Sequence, residues 1–198
     1  MRCYNARVLP SFNLESARME IWKDSSIIYD GRVVKLRVGE VTLDDNSLAR
    51  REVIEHPGGV CILPFTGHSV ILVRQFRIAL NRHVLEAPAG KLEGDEDPLA
   101  RGIAELEEET GHIAGRILPA GSIFASVGFC SEVIHLYLAF DLTKTAQRLE
   151  REERIDLVEM PLDEVRAALR GYAIRDAKTV VLLHRLLAHL DGEGGAIS

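Results

Sequence analysis

The chain has 198 residues, of which 46% are hydrophobic and 27% are charged. This length and composition are typical of one globular domain with a modest extension, and they exclude collagen-like, disordered and coiled-coil proteins. The 30 acidic and 24 basic residues give a formal net charge of −6. This is the wrong sign for a protein that holds nucleic-acid phosphates with its own side chains, so we expect no nucleic-acid partner.

The three cysteines, Cys3, Cys61 and Cys130, stand far apart in the sequence. They form no CxxC pair and no even set of disulfide partners, which is typical of reduced thiols in the cytoplasm. The N-terminal residues lack the apolar core of a signal peptide, and no window approaches the ~20 apolar residues that a membrane helix needs. We therefore expect a cytoplasmic protein with no membrane partner.

The N-terminal part of the sequence predicts a small antiparallel β extension. An apolar run at 27–29 is followed by Asp30-Gly31, a typical hairpin turn, and then by apolar residues that alternate with polar ones up to Val38. An isolated two-stranded unit is marginal in water. We therefore expect the hairpin from Ser25 to Leu43 to bury its apolar side, either in a homodimer or against the sheet of its own chain.

Strand and helix patterns alternate through the rest of the chain. Strands are predicted at 59–65, 69–76, 84–86, 123–126, 133–140 and 155–159, and helices at 98–110, 162–169 and 176–190. Strands interleaved with well-separated helices predict an α/β sandwich, with helices on both faces of a mixed sheet.

The helix at 98–110 has clear boundaries, because Asp97 is a good N-cap, Pro98 suits the first helical position and Gly111 suits the end. At 100° per residue an apolar stripe, predicted to be buried, contains Leu99, Ile103, Leu106 and Thr110. Three carboxylates, Glu105, Glu108 and Glu109, are predicted to lie on another side of the helix, away from the core. Such a cluster is either a solvated acidic face or a set of hard oxygen ligands for Mg²⁺ or Mn²⁺.

The residues around this helix favour the second interpretation. A glycine-containing loop, 87–96, precedes the helix and offers backbone carbonyls as further ligands. Together the loop and the helix resemble the Nudix box of the Nudix hydrolases, with the box positions filled by Gly90, Glu96, Glu105, Leu106, Glu108, Glu109 and Gly111. The resemblance implies a Nudix-type α/β/α sandwich with a mixed sheet.

Two positions depart from the box: Ala104 replaces its arginine and His112 replaces an aliphatic residue. In the family the arginine helps to orient a catalytic glutamate. Arg101 lies four residues before Glu105, where an ion pair on the helix surface is geometrically available at ~0.3–0.5 kcal/mol. We expect Arg101 to compensate in part for Ala104.

The sequence outside the box is similar to the ADP-ribose pyrophosphatase branch of the family. The branch resemblance rests on 50–52, 73–77, 85–90 and 171–176. It implies that Arg77 contacts substrate phosphates and that Arg51 and Glu52 contact adenine, often across a dimer interface; arginine suits bidentate recognition of phosphate.

The resemblance also implies a metal site and a base. The metal ligands are Glu105 and Glu109 with the carbonyl of Ala89, and Glu108 assists them. In related enzymes a mobile loop carries the general base, and within 150–153 we choose Glu153.

The predicted organisation is a dimerising β extension at 1–48, a Nudix hydrolase domain at 49–190 and a flexible tail at 191–198. The implied activity is Mg²⁺-dependent hydrolysis of the pyrophosphate bond of ADP-ribose or a related nucleoside diphosphate sugar, to AMP or another nucleoside monophosphate and a sugar phosphate. Mn²⁺ is an alternative metal. Other ADP-sugars, UDP-sugars and GDP-mannose remain open as substrates, and a non-catalytic nucleotide-sugar-binding module or regulator is the alternative function.

Overall fold

The computed structural model of the protein describes residues 19–192. The chain divides into two compact units, Met1–Val53 and Ile54–Ser198. Part of the predicted N-terminal extension and residues 193–198 of the predicted flexible tail lie outside the described residues, while Asp191 and Gly192 form a turn after the last helix.

A three-stranded sheet forms the first unit. Its strands are β1 (Ile21–Asp30), β2 (Lys35–Thr42) and β3 (Leu48–Glu55), in the order β1-β2-β3. The hairpin turn lies where the sequence predicts it, and the N–H of Gly31 donates to the carbonyl of Val34 at 3.0 Å. All ten residues of β1 are exposed, so this strand is not covered by the described part of the chain.

Within its described residues, the second unit contains two sheets and three α-helices. The first sheet has the order β7-β4-β9-β8, with β4 and β9 parallel and the other pairs antiparallel, and the second is antiparallel with the order β10-β5-β6. The strands and helices are β4 (Gly59–Pro64), β5 (Ser69–Arg77), β6 (Arg82–Glu86), β7 (Ala89–Lys91), α1 (Pro98–Thr110), β8 (His112–Phe124), β9 (Val133–Lys144), β10 (Ile155–Pro161), α2 (Leu162–Arg170) and α3 (Ala177–Leu190).

The central strands β4 and β9 are covered on both faces. In β4, Cys61 and Leu63 belong to the large core that includes Leu183 and Leu186 of α3, whereas Ile62 packs with Leu106 of α1. Successive side chains of a strand point to opposite faces, so this alternation places α3 on one face of the sheet and α1 on the other. The predicted α/β/α sandwich with a mixed sheet is confirmed.

The sequence prediction was wrong for β8, which was expected only at 123–126. The strand begins at His112 and includes Pro119 and Gly121. Its pairing with β9 shifts register between Pro119 and Ser122, and Gly121 has φ +78°. Proline and glycine are tolerated at such a bulge on an edge strand, although they interrupt a strand pattern in the sequence.

None of the helices within residues 19–192 has the length and hydrophobicity to span a membrane.

Candidate active site

Helix α1 begins and ends where the sequence predicts. The carboxylate of Asp97 accepts a hydrogen bond from the N–H of Ala100 at 3.0 Å, and Pro98 is the first helical residue. Gly111 has φ +65° and its N–H donates to the carbonyl of Glu107 at 2.8 Å. These caps fix the position of the box glutamates along the chain.

The buried face of α1 differs from the prediction. Leu99 and Ile103 are 37% and 43% exposed, whereas the buried residues are Gly102, Glu105, Leu106, Glu109 and Thr110. A Cβ on Gly102 would lie 3.0 Å from Cγ2 of Val60 in β4. The helix therefore approaches the sheet most closely along its glycine side, and this rotation buries two of the three carboxylates that were expected to face away from the core.

The loop before α1 contacts both buried carboxylates. The N–H of Ala89 donates to Oε2 of Glu109 at 3.0 Å. The carboxylate of Glu105 occupies the space that a side chain on Gly90 would need. Ala89 and Gly90 belong to β7, in which they pair with Cys61 and Val60 of β4.

Burial leaves this pair of carboxylates poorly compensated. Glu105 and Glu109 are 4% and 5% exposed. Burial raises the pKa of Glu105 to about 7, against the opposing charge of Arg101. Burial and the neighbouring charge of Glu105 together raise the pKa of Glu109 to about 8. The described surroundings of the pair therefore supply less positive charge than two ionised carboxylates require.

Arg101 is the cation beside this pair. Its Nη2 lies 2.5 Å from Oε1 of Glu105 and its Nη1 lies 3.8 Å from Oε2 of the half-exposed Glu108. The pair expected between Arg101 and Glu105 is therefore present. Glu108 lies beside the two buried glutamates but is more exposed to solvent.

Glu153 lies within electrostatic reach of the same site. Its negative charge contributes to the raised pKa values of both Glu105 and Glu109. Its carboxylate also accepts a hydrogen bond from the N–H of Glu150 at 2.9 Å, which closes the loop before β10. The structure thus brings Glu153 near the box glutamates from a separate segment of the chain.

The donor set fits a hard divalent cation. Within residues 19–192 no three His, Cys, Asp or Glu side chains converge in a metal-binding arrangement. Two buried carboxylates with a nearby backbone carbonyl are instead the small donor set that Mg²⁺ takes when water and substrate phosphates complete its coordination. Burial raises the pKa of both Glu105 and Glu109, and a dication beside them would favour their ionised forms.

Arg77 forms a second charged group near the site. It lies at the end of β5, and its Nε and Nη2 donate to the two carboxylate oxygens of Glu86 at 2.7 and 3.0 Å. Its side chain remains 44% exposed, whereas that of Glu86 is 4% exposed. The charge of Glu109 also raises the pKa of Arg77, so the guanidinium lies within electrostatic reach of the box glutamates.

The start of α3 joins this group, which sequence reasoning missed. Nζ of Lys178 lies 2.5 Å from Oε2 of Glu86 and 2.8 Å from Oδ1 of Asp176. Oδ2 of Asp176 accepts hydrogen bonds from the N–H and the hydroxyl of Thr179, at 3.0 and 2.5 Å. The only signal in the sequence was the N-cap position of Asp176, with a lysine and a threonine in the following turn.

This group also contacts the loop that leads to the box. The N–H of Ala87 donates to the hydroxyl oxygen of the fully buried Thr179 at 2.7 Å. On the other side of Ala87, the thiol of Cys61 lies 3.7 Å from its carbonyl oxygen. Helix α3 is therefore hydrogen-bonded to the segment that carries Ala89 and Gly90.

The structure places Arg51 and Glu52 on β3 in the first unit. Nε and Nη2 of Arg51 donate to the carboxylate of Glu20 at 2.7 and 2.6 Å, and Glu52 is exposed. The contact with Glu20 was not expected from the sequence. The role of both residues at a nucleobase stays a prediction.

Comparisons with known proteins identify the fold and the family of the chain. A solved structure described as an ADP compounds hydrolase superposes with a TM-score of 0.78 at 18% identity, covering 88% of this chain and 96% of that one. An ADP-ribose pyrophosphatase from Bacillus subtilis (strain 168) is 35% identical over 162 residues, and a methanol dehydrogenase activator from Bacillus methanolicus is 40% identical over 162 residues; each match covers 80% of this chain and 88% of the relative. A GDP-mannose pyrophosphatase from Cronobacter sakazakii is 33% identical over 185 residues, covering 86% of this chain and 96% of that protein.

The superposition on the ADP compounds hydrolase shows that the two proteins share an α/β/α sandwich fold. The NUDIX domain family matches residues 55–183. The chain belongs to the Nudix family, and the resemblance inferred from the box residues is confirmed.

Proposed function

We propose that this protein hydrolyses the pyrophosphate bond of a nucleoside diphosphate sugar, with Mg²⁺ as cofactor and Mn²⁺ as a substitute. ADP-ribose is the first candidate substrate, and its products are AMP and ribose 5-phosphate. The observation that carries the proposal is the buried pair Glu105 and Glu109 beside the backbone of Ala89 and Gly90. The names of the pyrophosphatase relatives support the choice of substrate class.

Glu105, Glu109 and the carbonyl oxygen of Ala89 are the proposed metal ligands, and Glu108 assists from the more exposed side of the helix. A bound dication supplies charge neutralisation for the diphosphate and lowers the pKa of a water molecule. Arg101 holds Glu105 through its contact at 2.5 Å. This contact opposes the effect of burial on the pKa of Glu105 and holds the carboxylate in place as a ligand.

Glu153 is the proposed general base. Its carboxylate accepts the proton of the attacking water as the water oxygen bonds to phosphorus and the bridging P–O bond breaks. The displaced phosphate leaves as an anion, so no proton has to be supplied to it at neutral pH. The support for this role is the electrostatic influence of Glu153 on both buried glutamates.

Arg77 is the proposed phosphate-binding residue. Its pairing with Glu86 fixes the guanidinium through two hydrogen bonds while the side chain stays 44% exposed. A guanidinium held in this way loses little further conformational entropy when it binds an anion. From the family resemblance, Arg51 and Glu52 are proposed to contact the base of the substrate.

We also propose a homodimer formed through the N-terminal extension, with a cytoplasmic location and no membrane or nucleic-acid partner. The support is the exposure of β1, where Ile28 and Tyr29 are 63% and 59% exposed. Size-exclusion chromatography with light scattering tests the dimer, and a monomer at micromolar concentration contradicts it.

The activity is tested by incubating the protein with Mg²⁺ and a panel of substrates, ADP-ribose, UDP-glucose and GDP-mannose, and by resolving the nucleoside monophosphates by chromatography. We expect AMP from ADP-ribose and less product without metal. If none of the substrates yields a nucleoside monophosphate, the proposal is wrong. GDP-mannose is included because several relatives are named GDP-mannose pyrophosphatase.

A regulatory role is the second candidate function. One relative, at 40% identity, is named a methanol dehydrogenase activator, and Ala104 replaces the arginine of the box. A protein that binds a nucleotide sugar without turnover is stabilised by mass action. A rise in melting temperature with ADP-ribose and Mg²⁺, without any AMP, favours this candidate over hydrolysis.

A further inference from the structure

The segment from Glu86 to Gly90 is held by hydrogen bonds from both sides. On the α1 side, the N–H of Ala89 donates to Glu109 at 3.0 Å. In the middle, Pro88 has no N–H, and its carbonyl accepts from the N–H of Ile62 at 2.9 Å. On the α3 side, the N–H of Ala87 donates to Thr179 at 2.7 Å. The position of the Ala89 carbonyl therefore depends on contacts to two helices.

The contacts on the α3 side form a closed ring that joins Glu86 and Ala87 to three residues of α3 and its N-cap. We call these three residues, Asp176, Lys178 and Thr179, the α3 clamp. From Glu86 the ring passes through Nζ of Lys178 at 2.5 Å and on to Asp176 at 2.8 Å. From Asp176 it passes through the hydroxyl of Thr179 at 2.5 Å and returns to the N–H of Ala87. Glu86 and Ala87 are neighbours in the chain, so their peptide bond completes the ring.

Every member of this ring is shielded from water. Thr179 is fully buried, and the side chains of Glu86, Lys178 and Asp176 are 4%, 13% and 18% exposed. A buried N–H that loses its acceptor has no water to replace it, so the segment must shift or remain strained. Thr179 therefore does more than donate hydrogen bonds to Asp176, the N-cap of its own helix.

We propose that Thr179 is a positioning residue of the active site, which holds the Glu86–Gly90 segment so that the Ala89 carbonyl and Glu109 converge on one metal ion. The inference rests on the proposed function for the identity of the metal ligands. Thr179 does not touch the metal or the substrate. It acts through the backbone of Ala87, two residues before the ligand carbonyl.

Two substitutions separate the hydroxyl from the rest of the side chain. Thr179→Val keeps the shape and removes the acceptor, and Thr179→Ser keeps the acceptor and removes a methyl group. Thr66→Val is the matched control, because the hydroxyl of Thr66 accepts a hydrogen bond from the N–H of Ser69 at 3.1 Å in the turn after β4. That turn is at the opposite end of β4 from its pairing with β7.

Two measurements do not depend on turnover: the dissociation constant for Mn²⁺ from electron paramagnetic resonance, and the hydrogen-exchange rate of the Ala87 amide from NMR. In Thr179→Val we expect faster exchange and Mn²⁺ binding weakened about 10- to 100-fold, the usual effect of removing an outer partner of a metal ligand. Thr179→Ser and Thr66→Val are expected to keep the wild-type values. Thr179→Ala removes the same acceptor with a smaller side chain and is expected to match the valine variant.

Wild-type Mn²⁺ affinity in a folded Thr179→Val or Thr179→Ala variant overturns the proposal, as does equal weakening in the serine variant. These results are distinct from a failure of the proposed function. If the wild-type protein releases no nucleoside monophosphate but Mn²⁺ binding still depends on the Thr179 hydroxyl, the clamp stands and the hydrolase proposal fails.

Discussion

Glu86, on the α3 side of residues 87–90, and Glu105 with Glu109, on the α1 side, are buried to nearly the same extent, at 3%, 4% and 5% exposure. Their pKa values nevertheless move in opposite directions. Burial by itself raises the pKa of Glu86, but hydrogen bonds and charge from Arg77 and Lys178 outweigh it, and the pKa ends below its ordinary value. The pKa values of Glu105 and Glu109 rise to about 7 and about 8.

The difference lies in the partners. Glu86 has two cations in direct contact, whereas Glu105 has one and Glu109 accepts a hydrogen bond from a neutral backbone N–H. A buried carboxylate with sufficient internal cations holds structure together, and one without them is ready to receive a cation from outside. The four predictions below test this contrast, from the largest expected effect to the smallest.

Glu109→Gln is expected to lower kcat by orders of magnitude without lowering the melting temperature. The amide keeps the shape of the side chain and removes a charge that burial disfavours, but it is a much poorer metal ligand. Steady-state kinetics and differential scanning fluorimetry at pH 8 measure the two effects. Glu107→Gln is the control, because Glu107 lies on the same helix and pairs with Arg148 at 2.9 Å; a lower melting temperature in Glu109→Gln alone would indicate a structural role.

Glu86→Gln is expected to lower the free energy of unfolding by about 3 kcal/mol. This value is the lower end of the range of losses measured when one partner of a buried ion pair is removed. The lower end applies because Arg77 is partly exposed, so water can solvate its charge when Glu86 is lost. Urea denaturation measures the change. Asp156→Asn is the control: its exposed pair with Arg74, at 2.6 Å, is expected to contribute less than about 1 kcal/mol. Equal losses in the two variants would contradict the contrast.

Stability without metal is expected to fall between about pH 5 and pH 8. The folded pKa values of Glu105 and Glu109 lie above the ordinary value of 4.5, so their contribution is fully present below pH 4.5 and is lost as pH rises through about 7 and 8. Metal binding displaces the same protons, and Mg²⁺ affinity is expected to rise about tenfold per pH unit for each proton displaced. Fluorimetry with EDTA or Mg²⁺ over this range measures both, and an equal pH dependence in Glu109→Gln would exclude this explanation.

Arg101→Gln is expected to lower the free energy of unfolding by only about 0.5 kcal/mol, because its ion pair with Glu105 joins two residues one turn apart on a single helix. Arg101 is also the cation that lowers the pKa of Glu105. Without it the acid limb of the pH–activity profile is expected to move to higher pH, and Ala104→Arg in the same variant is expected to reverse part of the shift. The control Arg148→Gln is expected to leave the pH–activity profile unchanged. An unchanged profile in Arg101→Gln would show that Arg101 does not lower the pKa of Glu105.

The elements that the sequence predicted well have strong local signals. Asp97, Pro98 and Gly111 define α1 to the residue, and α3, predicted at 176–190, is observed at Ala177–Leu190 with Asp176 as its N-cap. Strand β8 was largely missed because Pro119 and Gly121 interrupt its pattern, and only its pairing with β9 explains why they are tolerated. Local signals do not contain that information.

The candidate site was predictable in composition but not in orientation. The box spacing identified Glu105 and Glu109. The apolar periodicity, however, predicted that Leu99 and Ile103 are buried, whereas the two glutamates are buried instead. The rotation of α1 depends on the close approach of Gly102 to Val60, which is a tertiary contact. The α3 clamp could not be predicted from the sequence for a similar reason, since Lys178 and Glu86 are 92 residues apart in the chain.

Cys61 lies fully buried, with its thiol beside the carbonyl oxygen of Ala87. Burial raises the pKa of this thiol above the ordinary value. The nucleophilic thiolate is therefore scarce in the folded protein. Alkylating reagents and mild oxidants will leave this position untouched until the domain opens. The rate at which Cys61 is modified consequently reports how often the domain unfolds. Mass spectrometry measures this rate without any assay of turnover.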